Sequence, residues 1–305
     1  MSPPSTTNAE SVVVTLIAGD GPLPQDAVAL LPRELGVPLR ETRELRQDAG
    51  AVSAMELYLD APDPEPLRAA VAGFAEQWLI DACVQPVRDK QPRRRLIVFD
   101  MDSTLIECEV IDELAVRAGV GDEVAAVTAR AMRGELDFQA SFRQRMGKLR
   151  GLAEVELEHV AAALPIMPGA QRLFAALRRE GHYTVILSGG FDYFARRVQQ
   201  QLGIDEVHAN RLQIVDGALT GEVEGEIVDG ARKVALLREL AAREGFALED
   251  TVAVGDGAND LPMLATAGIG VAFHAKPRVR AEARCAVNRA DLDALLLVLG
   301  VPAGE

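Results

Sequence analysis

Three short apolar runs set the terms for this chain, because each stops abruptly on side chains that do chemistry. Leu96-Ile97-Val98-Phe99 runs into Asp100-Met101-Asp102-Ser103-Thr104, and Tyr183-Thr184-Val185-Ile186-Leu187 runs into Ser188-Gly189-Gly190. The third, Thr251-Val252-Ala253-Val254, ends on Gly255-Asp256-Gly257-Ala258-Asn259-Asp260. Runs this short, with β-branched members and no helical periodicity, read as buried strands. From Leu96 onward they alternate with helical patterns, which predicts parallel pairing through right-handed crossovers. Open sheets of that kind bind ligands at the carboxyl ends of their strands, so these acids and this hydroxyl belong to one edge.

Asp100 and Asp102 stand two residues apart, and in extended backbone both project to the same side. Carboxylates held that close repel unless a cation lies between them, and an all-oxygen donor set selects a hard ion such as Mg²⁺. Taken alone, the pair also admits a turn or a helix cap, both common just after strands. Ser188 with the Gly189 and Gly190 amides suits phosphate oxygens. Lys233, in Asp229-Gly230-Ala231-Arg232-Lys233, is a point charge for the same anion. The outline is a phosphate and metal site. Dinucleotide binding is disfavoured, since Asp260 stands where a third glycine would complete the pattern begun by Gly255 and Gly257. His159, His182, His208 and His274 are dispersed without metal-ligand spacing.

From about residue 94 to 297, the order and spacing of these motifs resemble the haloacid dehalogenase superfamily and, within it, the phosphoserine phosphatases. The resemblance rests on DMDSTLIECEVIDELA, SFRQRM, LSGGFD, ANRLQIVDGALTGEVEGEIVDGARK and VGDGANDLPML. Each piece alone is weak; their combination is specific. It implies an α/β fold with a Rossmann-like parallel-sheet core and a helical cap inserted at about 109–164. It also implies hydrolysis of O-phospho-L-serine to L-serine and phosphate, the last step of serine biosynthesis, through an aspartyl-phosphate intermediate.

On that resemblance Asp100 is the nucleophile, and Asp102 is the general acid for the leaving alkoxide and later the base that activates water. Mg²⁺ is held by a side-chain oxygen of Asp100, a backbone oxygen of Asp102 and the carboxylate of Asp256. Asp260 orients a metal-bound water or Lys233 from behind these ligands, or else is simply a carboxylate at a helix start. Ser188, the Gly189 amide and Lys233 hold the phosphoryl group, with Asn259 in the same network. In the cap, Glu109 corresponds to the acid that receives the substrate ammonium group, and Arg145 to the arginine that pairs with its carboxylate. Arg143, Lys148 and Arg150 crowd the segment that holds Arg145, and most of these must face water. Phe138 corresponds to a cap hydrophobe that shields the pocket, a position that core packing explains equally well. Two alternatives stay open: delivery of the phosphoryl group to a hydroxyl such as that of homoserine in place of water, and a chain that is primarily an amino-acid sensor.

The charge balance narrows the partners. A formal charge of −14, from 46 acidic and 32 basic side chains, repels polyphosphate backbones, and 4% aromatic content leaves little to stack on bases. Nucleic acid is therefore not expected as a partner, whereas a small phosphorylated substrate is compatible because a metal and Lys233 reverse the field locally. Cys83, Cys108 and Cys285 lack metal-ligand spacing and read as free thiols in a reducing compartment. No apolar stretch approaches the roughly 20 residues of a bilayer span, and the first ten residues lack signal-peptide character. A cytoplasmic protein without membrane contact is expected.

Residues 1–10 read as disordered, 11–90 as a first domain and 91–305 as the phosphatase domain. The first domain alternates as βαββαβ, with strands at 11–18, 39–45, 51–59 and 81–87 and helices at 25–35 and 65–80, the turn between the middle strands falling near Asp48-Ala49-Gly50. This is the ferredoxin-like α+β pattern and is similar to ACT domains. It either binds an amino-acid effector or serves structure and pairing of two copies as a homodimer. Residues 90–95, with Pro92 and three consecutive arginines, read as a solvated linker. Helices are expected in the cap at 110–118, 122–133, 137–150 and 152–163. Asp216-Gly217 and Thr220-Gly221, amid alternating apolar residues, read as a hairpin.

Overall fold

The computed structural model describes residues 11–19, 21–48 and 51–302. The disorder expected for 1–10 and the turn tip at Ala49-Gly50 lie outside the described residues.

Val12–Ile17 (β1) is buried along its whole length, because it runs antiparallel between Ala51–Leu59 (β3) and Asp81–Pro86 (β4). Leu39–Asp48 (β2) pairs with the far side of β3. Gln25–Leu35 (α1) and Arg68–Trp78 (α2) lay Leu31, Val71 and Phe74 against Val14, Leu16 and Leu57 of the sheet. The strand order β2-β3-β1-β4 is the ferredoxin-like one. A 3₁₀ turn, Glu65–Leu67, with Pro66 inside it, precedes α2 where a continuous helix is expected.

Leu96–Phe99 (β5) is the central strand of the second half, parallel to Tyr183–Phe191 (β6) on one side and Thr251–Gly255 (β9) on the other. Beyond β9 lie Ile269–Phe273 (β10) and Cys285–Val287 (β11), and beyond β6 lies Glu206–Val215 (β7), with Ala218–Glu224 (β8) antiparallel at the edge. Both faces of β5 are covered: Ile97 and Phe99 join the cluster under Ala170–Arg179 (α7) and Asp192–Leu202 (α8), while Leu96 and Val98 join that under Gly230–Glu244 (α9) and Leu261–Thr266 (α10). That is why the strands read as continuous apolar runs. Each such side chain, fully buried, contributes about 1.5–3 kcal/mol. Pro277–Glu282 (α11) and Leu295–Leu299 (α12) complete the fold.

The cap consists of Val110–Arg117 (α3), Gly121–Met132 (α4), Phe138–Lys148 (α5) and Val155–Ala162 (α6), inserted directly after the β5 tip. Leu114, Val124, Phe142, Met146 and Leu157 form its interior. Asp216 and Gly217 both take positive φ, 51° and 75°, as a two-residue hairpin turn requires. Thr220 and Gly221 instead lie within β8, so only the first of the two expected turn pairs makes a turn.

The junction is more closely built than a linker alone would make it. The halves share one eleven-stranded sheet, because β4 pairs antiparallel with β11, Cys83 opposite Cys285 and Ala82 opposite Ala286. Nor is 90–95 a solvated linker throughout. Lys90 pairs with Glu56 at 3.0 Å, both side chains less than a tenth exposed, and donates to Thr15 Oγ1 and the Leu297 carbonyl at 2.7 and 2.6 Å. Arg95 is 1% exposed and donates to the carbonyls of Leu299 and Asp89. Buried cations need such partners, and all of these but the Asp89 carbonyl lie far away in sequence. Asp81 completes the joint: Oδ1 accepts the N–H of Asn288 at 2.8 Å, and Oδ2 accepts those of Arg289 and Ala290 at 3.0 Å each.

Candidate active site

The tips of β5, β6 and β9 converge. The Asp100 N–H donates to the Val254 carbonyl at 2.9 Å, extending the β5–β9 ladder by one bond and fixing where its side chain starts. Carboxylate oxygens of Asp100, Asp256 and Asp260 lie within 4.8 Å of one another. Lys233, buried on the first turns of α9, reaches Asp260 Oδ1 at 2.7 Å and Asp100 Oδ1 at 3.0 Å. Asp260 also accepts the Gly257 N–H at 3.0 Å, and its side chain caps no helix although the residue stands at the start of α10. Gly255 permits this approach, since a Cβ there would lie 2.5 Å from the Asp260 carboxyl carbon.

Three carboxylates against one ammonium leave an excess of negative charge. Burial and the neighbouring charge of Asp260 push the Asp256 carboxyl up to about 7, and the same causes raise Asp100 well above the ordinary range. Burial opposes the charge on Lys233, but Asp100 and Asp260 outweigh it and raise the lysine pKa. The chemistry of the donors fits a divalent metal: all are oxygens, they cluster, and they carry more charge than the lysine neutralises.

Asp102 is turned differently. Its Oδ1 accepts the Val110 N–H at 2.9 Å, at the start of α3, and its Oδ2 lies 2.4 Å from where a Cβ on Gly190 would stand. Burial first, and then the Glu109 carboxylate, raise its pKa to about 7. Glu109 is held by the Ser103 hydroxyl, which donates to Oε1 at 2.9 Å from a residue in left-handed backbone, φ 56°.

Ser188 is wholly buried at the β6 tip. Gly189 faces the cap: a Cβ there would meet the Phe138 ring at 2.9 Å, so Phe138 closes over this loop while stacking on Phe142 at 6.2 Å between ring centroids. Arg145, on α5, is half-buried, and its Nε is shut from solvent with no hydrogen-bond partner. Asn259 lies beside the acids, with Nδ2 3.5 Å from Asp260 Oδ1. Asp100, Asp256, Asp260 and Lys233 thus form one cluster; Asp102, Glu109, Ser188 and Gly189 flank it; Arg145 stands apart in the cap.

Two contacts escape sequence reasoning. Gln139 on α5 donates to Asp229 Oδ2 at 2.6 Å, tying the cap to the residue that caps α9 through Arg232 N–H at 2.9 Å. Asn210, 1% exposed on β7, bonds both Gly189 and Val228. A polar residue in a strand was its one visible signal.

The fold and these strand tips define a class. A family model for haloacid dehalogenase-like hydrolases matches residues 97–265, and the chain belongs to that family. It is 48% identical over 254 residues to the phosphoserine phosphatase of Streptomyces coelicolor, covering 83% of this chain and 62% of that one. A structure of a probable phosphoserine phosphatase from Vibrio cholerae superposes with TM-score 0.74 at 39% identity, covering 95% of this chain and 86% of that one. A structure described as a phospho-aspartyl intermediate analogue of phosphoserine phosphatase gives TM-score 0.64 at 41% identity, over 68% of this chain and 99% of that one. The chain spans under two thirds of the Streptomyces protein's length. Phosphatases of this family are metal-dependent hydrolases. Among the described residues no helix is long and apolar enough to cross a membrane.

Proposed function

We propose that this chain is a phosphoserine phosphatase, hydrolysing O-phospho-L-serine to L-serine and phosphate. The observation that carries this reading is the convergence of Asp100, Asp256 and Asp260, two of them paired to Lys233, at the strand tips that also hold Ser188 and Gly189. The ion we assign is Mg²⁺, which Asp100, the Asp102 carbonyl and Asp256 would hold and which would supply charge neutralisation at the phosphoryl oxygens.

Asp100 attacks phosphorus as the bond to the serine oxygen breaks, leaving phosphate on its carboxylate. Asp102, its pKa near 7 and its carboxyl apart from the acid cluster, gives its proton to the leaving alkoxide. Water then attacks phosphorus, Asp102 takes its proton, and the Asp100 carboxylate is released with phosphate. Ser188, Gly189 and Lys233 stabilise charge on the group in flight, with Asn259 supporting them and Asp260 holding Lys233 in place. Glu109 receives the substrate ammonium group. Arg145, with its buried and unpartnered Nε, receives the carboxylate. Residues 11–90 form an ACT-like unit and 91–305 the catalytic unit, and the three free cysteines suit the cytoplasm.

The test is phosphate release from O-phospho-L-serine with and without Mg²⁺, beside simple phosphomonoesters and with homoserine as acceptor. Magnesium-dependent turnover favouring phosphoserine is expected, with Asp100→Asn folded and inactive. Wild-type turnover by that variant would refute the nucleophile.

A further inference from the structure

The β6–β7 ladder breaks at the phosphate loop. Leu187 pairs with His208 and Phe191 with Asn210, so Ser188, Gly189 and Gly190 stand opposite Ala209 alone. A bulge of this kind lifts backbone groups out of the ladder and leaves them to find other partners. The Gly189–Gly190 peptide finds one at each end. Its carbonyl accepts from Asn210 Nδ2 at 2.8 Å, and its N–H donates to Ser188 Oγ at 2.9 Å. The second bond has a directional consequence: with that lone pair engaged as acceptor, the Ser188 hydroxyl hydrogen is left free for another partner. Asn210 also uses its other end, since Oδ1 accepts the Val228 N–H at 2.8 Å, one residue before the Asp229 cap of the helix that carries Lys233.

From this geometry we infer that Asn210 is a positioning residue for catalysis, which locks the Gly189–Gly190 peptide plane so that Ser188 presents its hydroxyl as a donor to the phosphoryl group, in register with Lys233. The inference rests on the reading of Ser188 as a phosphate ligand. The carboxamide is suited to the task because it donates to one segment and accepts from the other. Aspartate in its place keeps the acceptor for Val228 and sets an oxygen against the Gly189 carbonyl, which favours a turned peptide.

The test is a double-mutant cycle on the full chain, with steady-state hydrolysis of phosphoserine and with binding of orthovanadate, a phosphoryl-transfer analogue. Asn210→Asp is expected to lower kcat about 100-fold and weaken vanadate by a similar factor, the loss typical of one misplaced donor. Inhibition by L-serine, which lacks the phosphoryl group, is expected to stay within about twofold. Combined with Ser188→Ala, it is expected to add less than about threefold to the loss from Ser188→Ala alone, because one acts through the other. Multiplicative losses would overturn the inference, as would a harmless Asn210→Asp beside a damaging Ser188→Ala. A harmless Ser188→Ala would instead overturn the phosphate-ligand reading, and this inference with it. Asn210→Ala is made in parallel, and failure of both Asn210 variants to fold would assign the residue to structure alone.

Discussion

Lys233 and Asp260 meet as a fully buried ion pair, Nζ to Oδ1 2.7 Å, with neither side chain exposed to solvent. Such a pair stands on its geometry, and Lys233 keeps Asp100 as a second partner, at 3.0 Å, when Asp260 is neutralised. Asp260→Asn is therefore expected to cost less than the about 3–5 kcal/mol of a buried charge left with no partner, read from urea unfolding. It is also expected to reduce kcat about 100-fold by letting Lys233 swing wholly to Asp100. Unchanged kcat would separate this pair from the chemistry.

Arg145 and Glu109 should govern which ester is accepted without governing whether phosphorus is transferred. Loss of a charge-assisted contact worth about 1.5–3 kcal/mol raises KM for phosphoserine by about 10- to 100-fold in Arg145→Ala. Hydrolysis of p-nitrophenyl phosphate, which has neither carboxylate nor ammonium group, should change less than about threefold. Equal losses on both esters would remove Arg145 from substrate recognition.

Asp81 holds three backbone N–H groups of 288–290, and burial raises its carboxyl pKa against their opposing pull. Asp81→Ala strands those donors between the two halves. The expected loss is at least about 2–3 kcal/mol in thermal or urea unfolding. A variant as stable as wild type would show that water replaces the carboxylate at no cost.

Glu206 sets an acid limit to stability. Hydrogen bonds, the strongest from Arg243, with others from Tyr183 and His208, lower its pKa from 4.5 to about 2. A folded pKa below the unfolded one means the stabilisation is complete above about pH 4.5 and is lost as pH falls toward 2. Arg243 is half exposed, so the effect is modest and shrinks with salt. Urea midpoints measured from pH 6 to pH 2 should fall less steeply for Glu206→Gln than for wild type.

The site was legible because its parts are strand endings, and an apolar run that stops on acid or hydroxyl marks a sheet edge whatever lies around it. The cap was legible through helical periodicity: Val110–Arg117 and Phe138–Lys148 fall within two residues of their expected limits. What stayed hidden depends on partners distant in the chain. Lys90 and Arg95 look like a solvated basic run until Glu56, Leu297 and Leu299 are set beside them. Gln139 meets Asp229 across 90 residues, and no local pattern encodes that contact. Asn210 reads as an ordinary polar strand residue unless the bulge opposite it is known. The continuity of the sheet rests on two facing pairs, Cys83 with Cys285 and Ala82 with Ala286, too few to leave a signature.

That short β4–β11 seam has a practical consequence. Residues 91–305 produced by themselves would keep every residue of the candidate site, yet they would carry a raw rim at Cys285–Val287 whose backbone donors and acceptors look for another molecule. Stickiness during expression is the penalty expected for producing the second half without the first.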